Sequence, residues 1–262
     1  MHKLTVAIAL GLSLSAPLHA DVPDRGAGER LLGYEGRALA PDSGALLYRE
    51  EHLLREQALG PAERLVLYRC ADGTLFARKR VDYSEAELAP AFELVDARLD
   101  YREGLRREDG QLLAFAGRGS VEPQPLEAGP ALVADAGFDR LVQQRWDALQ
   151  AGESVRIDFL VPSRAEALGF RLRKVEALQL DGEAASRIRL SLSGLFGLIA
   201  PDIDVIYRDR DRWLLRFEGL TNIRADSGRN LVAHIEFPEP PQARDAGVWG
   251  AAISAPLQSC SL

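Results

Sequence analysis

The chain has 262 residues, of which 47% are hydrophobic and 27% charged; this is enough apolar material for a substantial core and too much for a disordered polymer. A formal net charge of -7 at pH 7 excludes the basic footprint of a nucleic-acid-binding surface, so nucleic acid is not an expected partner. No Gly-x-Ser-x-Gly elbow, His-Glu-x-x-His helix or phosphate-binding glycine loop occurs, and neither a cofactor nor a catalytic residue is assigned.

Met1–Ala20 starts with His2 and Lys3, runs apolar from Leu4 to Leu14, and reaches Pro17 and the small Ala20 before the acidic Asp21 and Asp24. This order is that of a cleavable secretory signal. Its apolar run is shorter than the roughly 20 residues needed to cross a bilayer as a helix, and no later stretch approaches that length. The expectation is a periplasmic protein with no transmembrane segment in the mature chain, one charge more negative once Lys3 is removed. The opposite reading keeps Met1–Ala20 as an uncleaved anchor, because Leu18 is an unusual residue three before the cut. Asp21–Ala40 carries several glycines and charges and is expected to wrap loosely.

From there the chain reads as extended segments in close succession: Ala45–Gln57, Arg64–Cys70, Thr74–Tyr83, Ala91–Tyr101 and Gln111–Ala116. Asp135–Ala151 interrupts them. There Phe138, Leu141, Val142, Trp146 and Leu149 recur at helical spacing, with Gly152 placed to end the helix. Extended segments then resume. Val155, Ile157 and Phe159 alternate with Arg156 and Asp158, Gly169–Leu180 follows, and Ile188, Leu190 and Leu192 alternate with Arg187, Arg189 and Ser191. Asp202–Tyr207 comes next. In Arg212–Glu218, period two puts Trp213, Leu215 and Phe217 on one face, and Leu231, Ala233, Ile235 and Phe237 repeat the pattern. Asp72-Gly73, Asp109-Gly110, Asp181-Gly182 and Ser227-Gly228 fall between such stretches, as the turns of an antiparallel meander do.

About eleven antiparallel strands with one apolar face cannot stay flat, because twist accumulates. The expected fold is mainly β: a curved antiparallel sheet forming an unclosed barrel, with one amphipathic covering helix, in a single domain over residues 21–262. The inward aromatics either interdigitate and fill the concave face or line a cavity there. The second option takes Trp146, Phe159, Phe170, Leu190, Trp213, Leu215, Phe217 and Phe237 as ligand-binding residues. Cys70 and Cys260 share an oxidising compartment on this reading; they are either a disulfide or a buried thiol and a frayed tail.

The closing segment Val205-Ile206-Tyr207-Arg208-Asp209-Arg210-Asp211-Arg212-Trp213-Leu214-Leu215-Arg216-Phe217-Glu218-Gly219, followed by Asn222-Ile223 and Gly228, resembles the lipoprotein-carrier superfamily and the uncharacterised periplasmic family DUF3108. The resemblance implies an unclosed β barrel with a helical lid and a concave face that holds acyl chains in the carriers. The motif is a hairpin with its return strand and carries no chemistry, so architecture transfers and a trafficking role does not.

Other candidates have plainer readings. Glu50-Glu51-His52 could orient a general base, but more often such a run is the charged edge of a strand. Asp202, Asp204, Asp209 and Asp211 invite a calcium reading, which the missing glycine and the interleaved Arg208, Arg210 and Arg212 oppose. Arg171, Arg173, Arg187 and Arg189 form either an anion-binding stripe or a mixed-charge outer face. Leu195, Phe196, Leu198 and Ile199, between Gly194 and Pro201, make an apolar loop that touches a membrane or gates a pocket if exposed. The functional expectation is a soluble binding or carrier-like protein with an apolar or lipid-like ligand and no assigned protein partner. The alternatives are an envelope hydrolase using carboxylates in the same groove, or an assembly factor that receives a partner strand.

Overall fold

The computed structural model describes residues 28–58, 60–194 and 202–262; Met1–Ala20 and the loop of Leu195, Phe196, Leu198 and Ile199 lie outside them. Two antiparallel meanders make up one sheet. The first is β1 (Arg30–Leu39), β2 (Leu46–Gln57), β3 (Gly60–Cys70), β4 (Leu75–Asp82), β5 (Ala91–Asp96), β6 (Tyr101–Glu108), β7 (Gln111–Arg118) and the two-residue β8 (Gln124–Pro125). A crossover holds β9 (Leu132–Val133) and two helices, α1 (Gly137–Gln144) and α2 (Trp146–Gln150). The second meander is β10 (Val155–Val161), β11 (Glu166–Leu180), β12 (Glu183–Leu192), β13 (Ile203–Arg208), β14 (Leu214–Arg224) and β15 (Asn230–Glu236). The chain ends with β16 (Gln242–Ala243), paired to β1, and α3 (Gly247–Ser254).

The meanders join because β15 pairs with β1, through Arg37, Ala38 and Leu39. The free edges are then β8 and β9, the latter parallel to β10. Among the described residues no ladder closes the barrel; its seam is filled by Leu105, Ala114 and Leu126 from one edge against Leu132 and Leu160 from the other. Register shifts at Ala38/Leu39, Tyr68/Arg69 and Ile206/Tyr207 add local twist to strands that already coil.

Turn chemistry sets the hairpins. Asp109-Gly110 and Asp181-Gly182 are two-residue loops with positive φ at both positions, 49° and 76° in the first and 51° and 81° in the second, the geometry that matches the twist of the flanking strands.

Several expectations need correction. Asp21–Ala40 is not loose from Arg30 onward: β1 is a ten-residue strand in the middle of the sheet. The helical stretch is two short helices, broken at Arg145 (φ -99°). The covering helix also has a counterpart outside, because α3 seats Trp249 and Ala252 on Leu31, Leu53, Leu65, Leu67 and Leu75. Strands β1–β4 are therefore covered on both faces, which explains the unbroken run Leu65-Val66-Leu67-Tyr68 in β3. Among the described residues the strands exceed eleven, since β1 and β6 are separate strands and three two-residue pairings add to them.

Candidate functional site

Directly paired residues share a face of the sheet, so the register defines the concave side. One row runs Ile188, Val205, Phe217, Ile235, Ala38, Tyr48, Cys70 from β12 to β3. A neighbouring row on the first meander is Tyr34, His52, Val66, Lys79, Leu94, Glu103. The concave side is thus divided. Its β10–β13 wall is apolar apart from Lys174 and Ser186, which are bonded to Gln150 of the second helix, and its β1–β6 wall carries Glu50, His52, Arg64, Lys79 and Glu103 among aromatics.

The helix pair lies between the two walls. Leu141, Val142, Trp146 and Leu149 pack on Ile157, Leu172, Ile188, Leu190 and Val205, and the Trp146 ring meets Tyr207 edge-on at 6.2 Å. On the other side Asp135, just before α1, accepts a 2.8 Å hydrogen bond from Lys79 Nζ, and Asp139 faces Arg64 at 3.7 Å. Glu87 ties α1 down through Arg140 and Gln144.

The sequence-predicted ligand-binding residues fall mainly into two groups. Trp146, Phe159, Phe170 and Leu190 meet around the helix pair, with Phe159 and Phe170 edge to face at 6.1 Å. Trp213 and Phe237 instead pack with Tyr34, and Trp213 Nε1 donates to the Phe237 carbonyl at 3.4 Å. Phe217 packs against both clusters. Leu215 does not join them. The register shift in β14 gives its place on the concave side to Leu214, and Leu215 lines a surface cleft of about 430 Å³ with Arg37, Arg208, Arg216, Glu236 and Phe237. The helix pair and these side chains interdigitate on the concave side.

Glu50 and His52 are not a charged strand edge. They are buried, and His52 Nε2 and Glu50 Oε2 are 2.8 Å apart, whereas Glu51 points outward to Arg69. Burial holds the imidazole below its ordinary range, with Glu50 opposing the shift. Burial also raises the Glu103 carboxyl, which accepts a 2.7 Å bond from the Tyr101 hydroxyl, and pushes the Tyr83 hydroxyl up to about 12. Among the described residues, Tyr48 Oη, His52 Nδ1, Arg64 Nε, Tyr83 Oη, Asp135 Oδ1, Asp139 Oδ1 and Tyr207 Oη are buried without a hydrogen-bond partner. The Tyr207 hydroxyl sits beside Asp139 but outside hydrogen-bond geometry. Such a concentration of unsatisfied groups is unusual in a folded interior and calls for a functional account. Asp135, Asp139, Arg64 and Lys79 escaped the sequence reading because each looks like an ordinary surface charge; the alternation of β3 and β4 was the one available signal.

Most of the remaining candidates resolve into ion pairs, while Asp209 accepts from the Ser186 hydroxyl and Arg171 and Arg173 are exposed. Asp204 takes bonds from Arg187 and Arg189, Arg187 also reaches Glu176 and Glu218, and Asp211 pairs with Arg208. Among the described residues no cluster of histidine, cysteine and acidic side chains is arranged to hold a metal. Cys70 and Cys260 form a disulfide with Cα atoms 6.6 Å apart, which brings Cys260 and Leu262 onto the cluster around Tyr34 and Tyr48. No helix among the described residues is long and apolar enough to cross a membrane.

No protein-family model matches the chain, and no curated protein matches it. Among solved structures it is similar to a β-barrel-like protein of a domain of unknown function, DUF1849, from Brucella abortus, with 7% identity and a TM-score of 0.42, covering 83% of this chain and 98% of that one.

Proposed function

We propose that the protein is a non-catalytic binding or carrier-like protein of the periplasm that takes an apolar or lipid-like ligand on the concave side of its sheet. The observation that carries this reading is the cover of the β10–β13 wall: two helices of eight and five residues, neither with a side-chain cap. Helices this short do not hold themselves together in water and depend on the contacts they make. A ligand that replaces those contacts displaces the pair at modest cost, and each CH₂ it buries contributes about 0.8 kcal/mol. The signal-like Met1–Ala20 supports the compartment, and the resemblance of the late strands to DUF3108 and the lipoprotein carriers supports the architecture. Native mass spectrometry of gently purified protein, followed by titration with a fluorescent fatty acid, tests the proposal. Co-purified or acquired lipid mass is expected; a clean apo mass with no uptake overturns it.

A further inference from the structure

The helix pair has the chemistry of an amphiphile with two acidic heads. One side offers Leu141, Val142, Trp146 and Leu149 to the apolar wall. The other extends Asp135 and Asp139 to the cations of the facing wall, Lys79 and Arg64. From these observations we infer that α1–α2 is a built-in stand-in for the ligand, and that the ligand is an anionic amphiphile whose head binds Arg64 and Lys79 while its hydrocarbon replaces the apolar helix side. The inference rests on the binding function proposed above and adds the class of head group.

The two cations are placed for such an exchange. Both project from paired strands onto the concave side, where a neutral ligand would leave them without their Asp135 and Asp139 partners once the helices move. Burying a cation unpaired is costly, so displacement of Asp135 and Asp139 requires a replacement negative charge. Arg64 is also only partly used. Its contact with Asp139 is single and 3.7 Å long, its Nε has no partner among the described residues, and Asp139 Oδ1 is unpartnered as well. A guanidinium fork can give two parallel hydrogen bonds to a carboxylate or phosphate; the aspartate takes neither in good geometry, and a free head group can take both. The hydroxyls of Tyr83 and Tyr207, buried and unpartnered beside this pair, add donors for the remaining oxygens. Asp139 is the more exposed of the two, its side chain keeping 24% of its surface against 12% for Arg64.

The test uses the full mature chain with its disulfide intact and three probes sharing one acyl chain: a fatty acid, a monoacylglycerol phosphate and the neutral monoacylglycerol. Both anionic probes, or one of them, are expected to bind more tightly than the neutral one, and the better of the two identifies carboxylate or phosphate as the head. The Asp135→Asn/Asp139→Asn variant should bind anionic probes roughly tenfold more tightly, the scale of one charge-assisted contact released from competition. Arg64→Gln/Lys79→Gln should abolish the anionic preference. In case those variants fail to fold, hydrogen exchange on the unmodified protein gives an independent readout: an anionic probe should speed exchange across residues 137–150 and leave β1–β4 protected. Equal binding of all three probes, or slower exchange in the helix pair on binding, overturns the stand-in while the binding function stands. Failure of every probe with every folded variant overturns both.

Discussion

The Tyr34 ring lies flat on the His52 imidazole, their centroids 4.4 Å apart and their planes 7° from parallel. The two residues face each other across the β1–β2 ladder, and the stack fixes the imidazole so that Nε2 meets Glu50 while Nδ1 finds no partner among the described residues. Burial disfavours the charged form of this histidine, against the pull of Glu50.

That shift predicts an acid-side loss of stability. Because burial lowers the His52 pKa from 6.5, the unfolded chain binds a proton there before the folded chain does, and stability falls as pH drops through 6.5. Urea unfolding between pH 7.5 and 5 should show this slope, and His52→Gln should flatten it. An unchanged slope in the variant would assign the loss to other groups.

Glu103 carries the opposite sign. Burial raises its pKa above 4.5, so the folded chain holds the proton longer, and the residue's contribution declines as pH rises from 4.5 through the folded value. Glu103→Gln retains an acceptor for Tyr101 and should remove that decline. The unfolding midpoints of variant and parent, compared from pH 4 to 7, should diverge in favour of the variant as pH increases.

The bond between Cys70 and Cys260 spans a sequence separation of 190 residues, and its removal should cost about 2 to 4 kcal/mol. The double Cys→Ala variant should also release the tail that places Leu262 on the inner cluster. Carboxypeptidase digestion checks the second effect: rapid trimming of the variant and resistance of the oxidised parent are expected.

Gly137 tests how α1 is seated. A Cβ there would lie 2.0 Å from the Leu88 carbonyl oxygen, a backbone atom that cannot turn aside. Gly137→Ala should therefore lift the start of α1 and cost about 1 to 3 kcal/mol, as overpacking does. Faster amide exchange confined to the helix pair is the expected signature; a variant indistinguishable from the parent would show that the chain yields there freely.

Trp249 anchors α3 to the outer sheet face, with the Arg55 guanidinium 4.3 Å from its ring centroid. Trp249→Ala should cost about 3 to 5 kcal/mol and expose the leucines beneath. Increased binding of a hydrophobic dye, with the concave side still protected from exchange, would separate this outer cover from the inner one.

The local rules were legible in the residues themselves. Asp109-Gly110 and Asp181-Gly182 demand a backbone with positive φ, and a tight hairpin is what such pairs form. The spacing of Leu141, Val142, Trp146 and Leu149 reads as one buried helical face because side chains three and four apart share a side. What lies across the sheet was decided only by tertiary pairing. Period two shows that Glu50 and His52 share a face with Tyr48, but not that this face is the inner one when α3 buries the other. A single bulge in β14 exchanges Leu215 for Leu214, since one extra residue reverses which side chains point inward. The meeting of Lys79 with Asp135, 56 residues apart, depends on where the crossover carries α1, and that placement comes from the packing of two remote walls around it.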